Sequence, residues 1–122
     1  MNEKNATLIV GASSNPARYS YIATRMLLER KHEVELLGLR EDVVFDKKID
    51  KERKDYKNID TIGLYIGPPR QVELYDYLIG LKPRRVIFNP GTENPEFMNL
   101  LRQEGIEVEA ACMLVMMSVG TY

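Results

Sequence analysis

The stretch Ala6-Thr7-Leu8-Ile9-Val10-Gly11-Ala12-Ser13-Ser14-Asn15-Pro16-Ala17-Arg18-Tyr19-Ser20 decides the fold. Its first five residues form a mainly apolar run of strand length, Gly11 ends that run, and a turn of small and polar residues follows. Beyond the turn, Ile22, Ala23, Met26 and Leu27 recur at helical spacing up to about Lys31, with Arg25, Glu29 and Arg30 on the opposite face. A buried strand, a small-residue turn and an amphipathic helix form the opening unit of an alternating α/β chain.

Working outward, Glu33 to Leu37 reads as a second strand, Ile62 to Ile66 as a third, Arg85 to Phe88 as a fourth and Ile106 to Ala110 as a fifth. Two further helices are expected between them. One carries Val72, Tyr75, Leu78 and Ile79 after Pro68-Pro69; the other carries Phe97, Leu100 and Leu101 after Asn94-Pro95. Strands joined by single helices require right-handed crossovers. The expected fold is therefore a three-layer Rossmann-like α/β domain, with a parallel five-stranded sheet and helices on both faces. From 39 to 57 the chain is dense in both signs of charge, with only a short Val43-Val44-Phe45 and an isolated Ile49, and reads as a solvated excursion holding a short strand or helix.

The 122 residues, 44% of them hydrophobic, suit one domain over residues 1–122. A net charge of −1 gives no field for gathering polyanions, so nucleic acid is not an expected partner. The uncharged tail Ala110 to Tyr122 is shorter than the ~20 apolar residues a membrane-spanning helix needs. The opening MNEKNATLIVGA lacks a secretory leader's basic end and long apolar stretch, and the expected location is cytoplasmic. The single cysteine, Cys112, agrees with a reducing compartment and reads as a buried, inert thiol. His32, with no Cys or His partner near it in sequence, reads as a solvated loop residue, and no metal is expected. Arg84 and Arg85 read as solvated. Tyr75 and Tyr77, two apart on a helix, are not expected to face the sheet together. The apolar Met113 to Met117 stretch is core or a homodimer contact.

In an open parallel sheet, ligands bind beyond the carboxyl ends of the strands. After the first strand lie Gly11, Ala12, Ser13, Ser14, Asn15, Pro16, Arg18, Tyr19 and Ser20, small residues, hydroxyls and a cation leading to a helix N-terminus. That combination suits a pyrophosphate. It is not the GxGxxG dinucleotide fingerprint, because Ser13 and Pro16 stand at two of the three glycine positions. The second strand ends in Leu37-Gly38-Leu39-Arg40, where an NAD enzyme places an acid; Arg40 could instead meet a phosphate on the ribose, as in NADP or coenzyme A.

These blocks, GASSNPARYSYIA (11–23), HEVELLGL (32–39), Asn89-Pro90-Gly91-Thr92 with Asn94, and Cys112, resemble the stand-alone CoA-binding domain family, related in fold to the CoA-binding domain of the succinyl-CoA synthetase alpha subunit. Gly11, Ala12, Ser13, Pro16, Arg18 and Ser20 match the family's GAS-x-x-P-x-R-x-S loop. The chain departs from the family at Leu37-Gly38-Leu39 (commonly Val-Asn-Pro), Tyr65-Ile66 (Phe-Arg), the segment around Phe88 and Asn89 (Trp-x-Gln-x-Gly) and Ala110-Ala111 (Asp-Arg). The resemblance implies coenzyme A or an acyl-CoA as ligand. Its pyrophosphate would lie on the Gly11 to Ser20 loop, its adenine beside Gly38, Leu39 and Arg40, and its pantetheine arm along Tyr65, Ile66, Gly67, Asn89, Pro90, Gly91, Thr92 and Asn94.

No catalytic constellation is visible, so the expected role is a non-catalytic carrier, sensor or regulatory module. Two rivals stay open. One is an enzyme using NADP or a flavin nucleotide; the other is an interaction protein that kept the fold and lost its ligand.

Overall fold

A computed structural model describes residues 5–122. Residues 1–4, part of the expected domain span and of the opening stretch, lie outside the described residues.

The chain runs β1 (Ala6–Val10), α1 (Tyr19–Glu29), β2 (Glu33–Leu37), β3 (Asp42–Val44), β4 (Lys47–Asp50), β5 (Ile59–Leu64), α2 (Pro68–Gln71), a 3-10 turn (Val72–Leu74), α3 (Tyr75–Gly80), β6 (Arg85–Phe88), α4 (Pro95–Gln103), β7 (Glu107–Ala110) and α5 (Met113–Val119). The sheet has seven strands in the order β3-β4-β2-β1-β5-β6-β7, not the expected five. All pairings are parallel except β3 with β4. The two extra strands come from the charged excursion, folded as a hairpin about Phe45 and Asp46, which both have positive φ. Two such residues in a row are the backbone of a tight two-residue hairpin turn. β4 then joins β2 through Leu36–Ile49 and Leu37–Asp50, burying Val44 and Ile49 in the core.

β1 is buried at all five positions, as a central strand covered on both faces must be. On one face α1 presents Ala23 and Leu27 beside Met113, Met116 and Met117 of α5, so the methionine stretch is a core helix in this chain. On the other face Leu78 of α3 and Phe97 and Leu101 of α4 pack with Leu8, Ile62, Val86 and Phe88. α4 starts where sequence chemistry places it: the Asn94 carboxamide oxygen accepts from Phe97 N at 3.2 Å, and Pro95 follows. Tyr75 and Tyr77, both half-buried in α3, both pack on this cluster, contrary to expectation. Tyr75 stacks on Phe97 at 4.4 Å, and the Tyr77 hydroxyl donates to the Lys54 carbonyl.

Two expected surface residues are placed otherwise. Arg85 is buried: its Nε donates to Thr61 Oγ1 at 2.9 Å, its Nη1 meets Glu109 at 3.1 Å, and its guanidinium lies 4.6 Å from the Tyr122 ring centroid. Arg84 stays exposed and pairs with Asp60 at 2.8 Å and Glu107 at 3.1 Å. His32 is half-buried, edge-on to the Tyr122 ring at 5.3 Å.

Asp50, buried at the end of β4, ties the excursion to the sheet. Burial pushes its carboxyl up, but the Tyr56 hydroxyl at 2.7 Å and the Lys54 ammonium at 3.0 Å outweigh that and hold it below the ordinary range. A depressed carboxylate contributes stability that is present above the unfolded value of about 4 and lost as pH falls through the lower folded value. Between about pH 4 and 2, thermal melts of the protein should therefore fall more steeply than those of Asp50→Asn. Equal slopes for the two proteins in that window would overturn this role for Asp50.

Candidate functional site

At the carboxyl edge of the sheet, β1 runs to α1 and β2 on one side, while β5 and its helices lie on the other. The strand order reverses between β1 and β5, and the loops there diverge to leave a crevice. Gly11 N and Ala12 N both donate to the Leu37 carbonyl, at 2.9 and 3.0 Å, and Tyr65 N donates to the Val10 carbonyl at 2.8 Å. The three strand ends are thereby locked together. Gly11 holds φ +96°, and a Cβ there would meet the Tyr65 carbonyl carbon at 3.1 Å. Gly38 lies as close: a Cβ would come 2.7 Å from the Ala12 carbonyl oxygen. Both glycines are needed for backbone approach.

From Gly11 the loop continues half-buried through Ser14 and then exposed from Asn15 to Tyr19. Ser13 Oγ accepts from Asn15 N at 3.0 Å, which leaves its hydrogen free to donate. The Asn15 side chain accepts from Ala17 N at 3.0 Å, and Arg18 N donates to the Asn15 carbonyl at 3.0 Å. Ser14 Oγ donates to Asp42 at 2.5 Å, joining the loop to β3, and this bond is the main cause holding the Asp42 carboxyl below its ordinary range. α1 begins after Arg18 with no side-chain cap, so its leading amides have no side-chain acceptor. Ser20 is buried inside the first turn.

Beside Gly11 opens a cleft of about 220 Å³. Val10, Gly11, Leu37, Gly38 and Leu39 form one wall, Ile66, Arg70, Glu73 and Leu74 the other, and Lys51 and Arg53 stand at the rim. Of the residues expected at the site, Gly11, Gly38, Leu39 and Ile66 line it. Arg40 is exposed outside its lining, where it faces Asp42. Lys51, Arg53 and Arg70 were not legible as site residues, since in sequence they belong to a mixed charge run and a helix start.

The expected pantetheine residues divide. The Tyr65 side chain packs with the α1 and α5 cluster; its hydroxyl is buried without a hydrogen-bond partner, and burial pushes its pKa up. Asn89, Thr92 and Asn94 are buried and turned inward. Asn89 Nδ2 donates to the Leu64 carbonyl at 3.0 Å and its oxygen accepts from Met113 N at 2.9 Å. Thr92 Oγ1 donates to the Asn89 carbonyl at 2.8 Å. Asn94 Nδ2 donates to Gln71 at 2.9 Å and to the Tyr75 hydroxyl at 2.8 Å, while Gln71 Nε2 donates to the carbonyls of Ile66 and Thr92 at 2.9 and 2.8 Å. Gln71, buried and unforeseen from sequence, joins the loop after β5 to the loop after β6. Gly67 caps α2, and Pro90 and Gly91 are exposed at the tip of the next loop. Cys112, at the cap of α5, is half-buried and so more exposed than its sequence neighbours suggested.

Sheet order, switch-point crevice and glycine-lined cleft define a Rossmann-like α/β domain with its candidate site at the carboxyl ends of β1, β2 and β5. The chain belongs to the CoA binding domain family, whose model matches residues 5–118. An uncharacterized protein of solved structure is 44% identical, with a TM-score of 0.95 over 99% of this chain and 100% of that one. A hypothetical protein from Pyrococcus horikoshii OT3 is 26% identical, with a TM-score of 0.82 over 93% of this chain and 80% of its own. A conserved hypothetical protein from Pyrococcus furiosus, also 26% identical, has a TM-score of 0.80 over 91% of this chain and 97% of its own. No curated protein matches the chain. Among the described residues, no helix is long and apolar enough to cross a membrane.

Proposed function

We propose that this chain is a single domain that binds coenzyme A or an acyl-CoA and acts as a non-catalytic carrier, sensor or regulatory module. The observation that carries the reading is the junction at Gly11, where an apolar cleft meets a loop leading to an uncapped helix. A flat base fits between Leu37 to Leu39 and Ile66 to Leu74, within reach of a pyrophosphate held by loop amides, Ser13 and Arg18. The pantetheine arm then passes over the loops after β5 and β6. Their buried hydrogen bonds through Gln71 and Asn94 make that surface rigid.

Thermal melts with CoA, acetyl-CoA, NADP, NAD and FMN test the proposal. A ligand at 100 times its Kd stabilises by about 2.7 kcal/mol, which raises Tm by several degrees. CoA or acetyl-CoA is expected to give that shift and the others not. The Arg18 side chain is exposed and its guanidinium makes no hydrogen bond or ion pair among the described residues. Arg18→Ala should thus leave the unliganded Tm unchanged and weaken CoA about tenfold. A shift with FMN or NADP alone would replace the reading with an enzyme's; no shift with any of them would replace it with an interaction protein's.

A further inference from the structure

The cleft rim carries charge that the pyrophosphate loop does not account for. In a chain with net charge −1, three cations, Lys51, Arg53 and Arg70, meet a single carboxylate, Glu73, at one small opening. Arg53 is committed to Glu73: its Nη2 lies 3.4 Å from the carboxylate, and its Nη1 donates to the Glu73 carbonyl at 3.2 Å. The one anion of the rim is neutralised by that pair. The side chains of Lys51 and Arg70 make no hydrogen bond or ion pair among the described residues, in contrast to those of Lys48 and Lys54 on the same excursion, which are both paired. They reach the cleft from different elements, Lys51 just beyond β4 and Arg70 in α2, among lining residues that are mainly apolar. An apolar slot edged by two uncommitted cations suits an aromatic base whose sugar bears a phosphate, since a phosphomonoester carries about −1.5 to −2 at pH 7.

We infer that Lys51 and Arg70 form a second anion subsite that takes a phosphomonoester on the ribose of a bound adenosine. The inference rests on the CoA reading and sharpens it, for this phosphate is what coenzyme A has and dephospho-CoA lacks. It also moves the ribose phosphate from Arg40, which lies outside the cleft lining, to residues on the cleft itself. Lys51 and Arg70 are then the residues that determine specificity, and Arg53 keeps Glu73 from repelling the phosphate.

Calorimetric titration of the full chain with CoA and dephospho-CoA, each at low and moderate salt, and with NADP and NAD, tests it. The protein should bind CoA at least about tenfold more tightly, and that ratio should shrink as salt rises. In Lys51→Ala/Arg70→Ala the ratio should fall to within about twofold, through weaker CoA binding with dephospho-CoA unchanged. Both side chains are exposed, and an unchanged melting temperature for the double variant would separate this effect from misfolding. Equal binding of the two ligands by the unaltered protein, or a ratio that survives the double substitution, overturns the subsite while leaving CoA as ligand. A larger preference for NADP over NAD than for CoA over dephospho-CoA overturns the assignment to coenzyme A's ribose phosphate, which is on the 3′ oxygen, in favour of the 2′-phosphate of NADP. Binding of none of the four overturns the subsite and the CoA reading together.

Discussion

Replacing Asn89 by alanine is expected to lower stability by about 2–4 kcal/mol, a fall in Tm on the order of 10 °C, before any ligand is added. The Asn89 carboxamide is almost fully buried at the end of β6 and satisfies a carbonyl on one side and an amide on the other: Leu64 O at the end of β5 and Met113 N at the start of α5. Removing it leaves both backbone groups buried and unpaired. Each such orphan costs more than the hydrogen bond contributed, because water no longer reaches it. Asn89→Asp is a sharper probe, since the ionised side chain keeps the acceptor for Met113 N but loses the donor to Leu64 O and places a charge against a carbonyl. It should be at least as damaging near neutral pH and less so in acid, where the protonated carboxyl donates again. If Asn89→Ala instead melted within about 2 °C of the unaltered protein and lost ligand affinity, Asn89 would be a ligand contact and not a bridge within the fold.

This residue shows what kind of information a sequence carries. Asn89, Thr92 and Asn94 are legible as residues that follow a strand at the carboxyl edge of the sheet, and the structure places them after β6; which way each side chain turns depends on partners 3 to 25 positions away. β1 and β6 are readable as short, mainly apolar runs buried on both faces, and α1 and α4 by apolar residues that recur at helical spacing within their own windows. The β3–β4 hairpin was not readable as strands, since its turn is Phe45-Asp46 at positive φ, without the Asn-Gly signal, and its arms alternate too briefly. That hairpin hides part of the candidate site. Pairing of Leu37 with Asp50 brings Lys51 and Arg53 to the wall formed by Leu37 to Leu39, a proximity no local pattern contains. Arg85 was misread for the same reason. Its neighbours in sequence are a proline turn and a strand, but Thr61 beside it in the sheet and Tyr122 at the chain's end make a buried niche for a guanidinium.

A second large effect is expected at Gly11, where valine should cost about 3 kcal/mol or more and abolish CoA binding. Two contributions add there, and a second glycine separates them. Gly91 has nearly the same backbone angle, φ +92° against +96°, yet a Cβ at Gly91 meets nothing within 4 Å. Gly91→Ala therefore measures the conformational cost alone, about 1–2 kcal/mol. At Gly11 the side chain also meets Ile66 Cγ2 at 2.9 Å and the Tyr65 backbone at 3.1 Å. Ile66 can shift, but the Tyr65 peptide cannot, because Tyr65 N is bonded to the Val10 carbonyl at 2.8 Å. The added volume must then push the loop and β5 apart, moving Gly11 off the cleft wall it forms. Gly11→Ala should accordingly melt below Gly91→Ala, with valine lower still, and only the Gly11 variants should lose the CoA-dependent rise in Tm. Equal stabilities for Gly11→Ala and Gly91→Ala, with CoA binding intact in both, would mean that the loop yields freely and that its close approach to β5 does not shape the site.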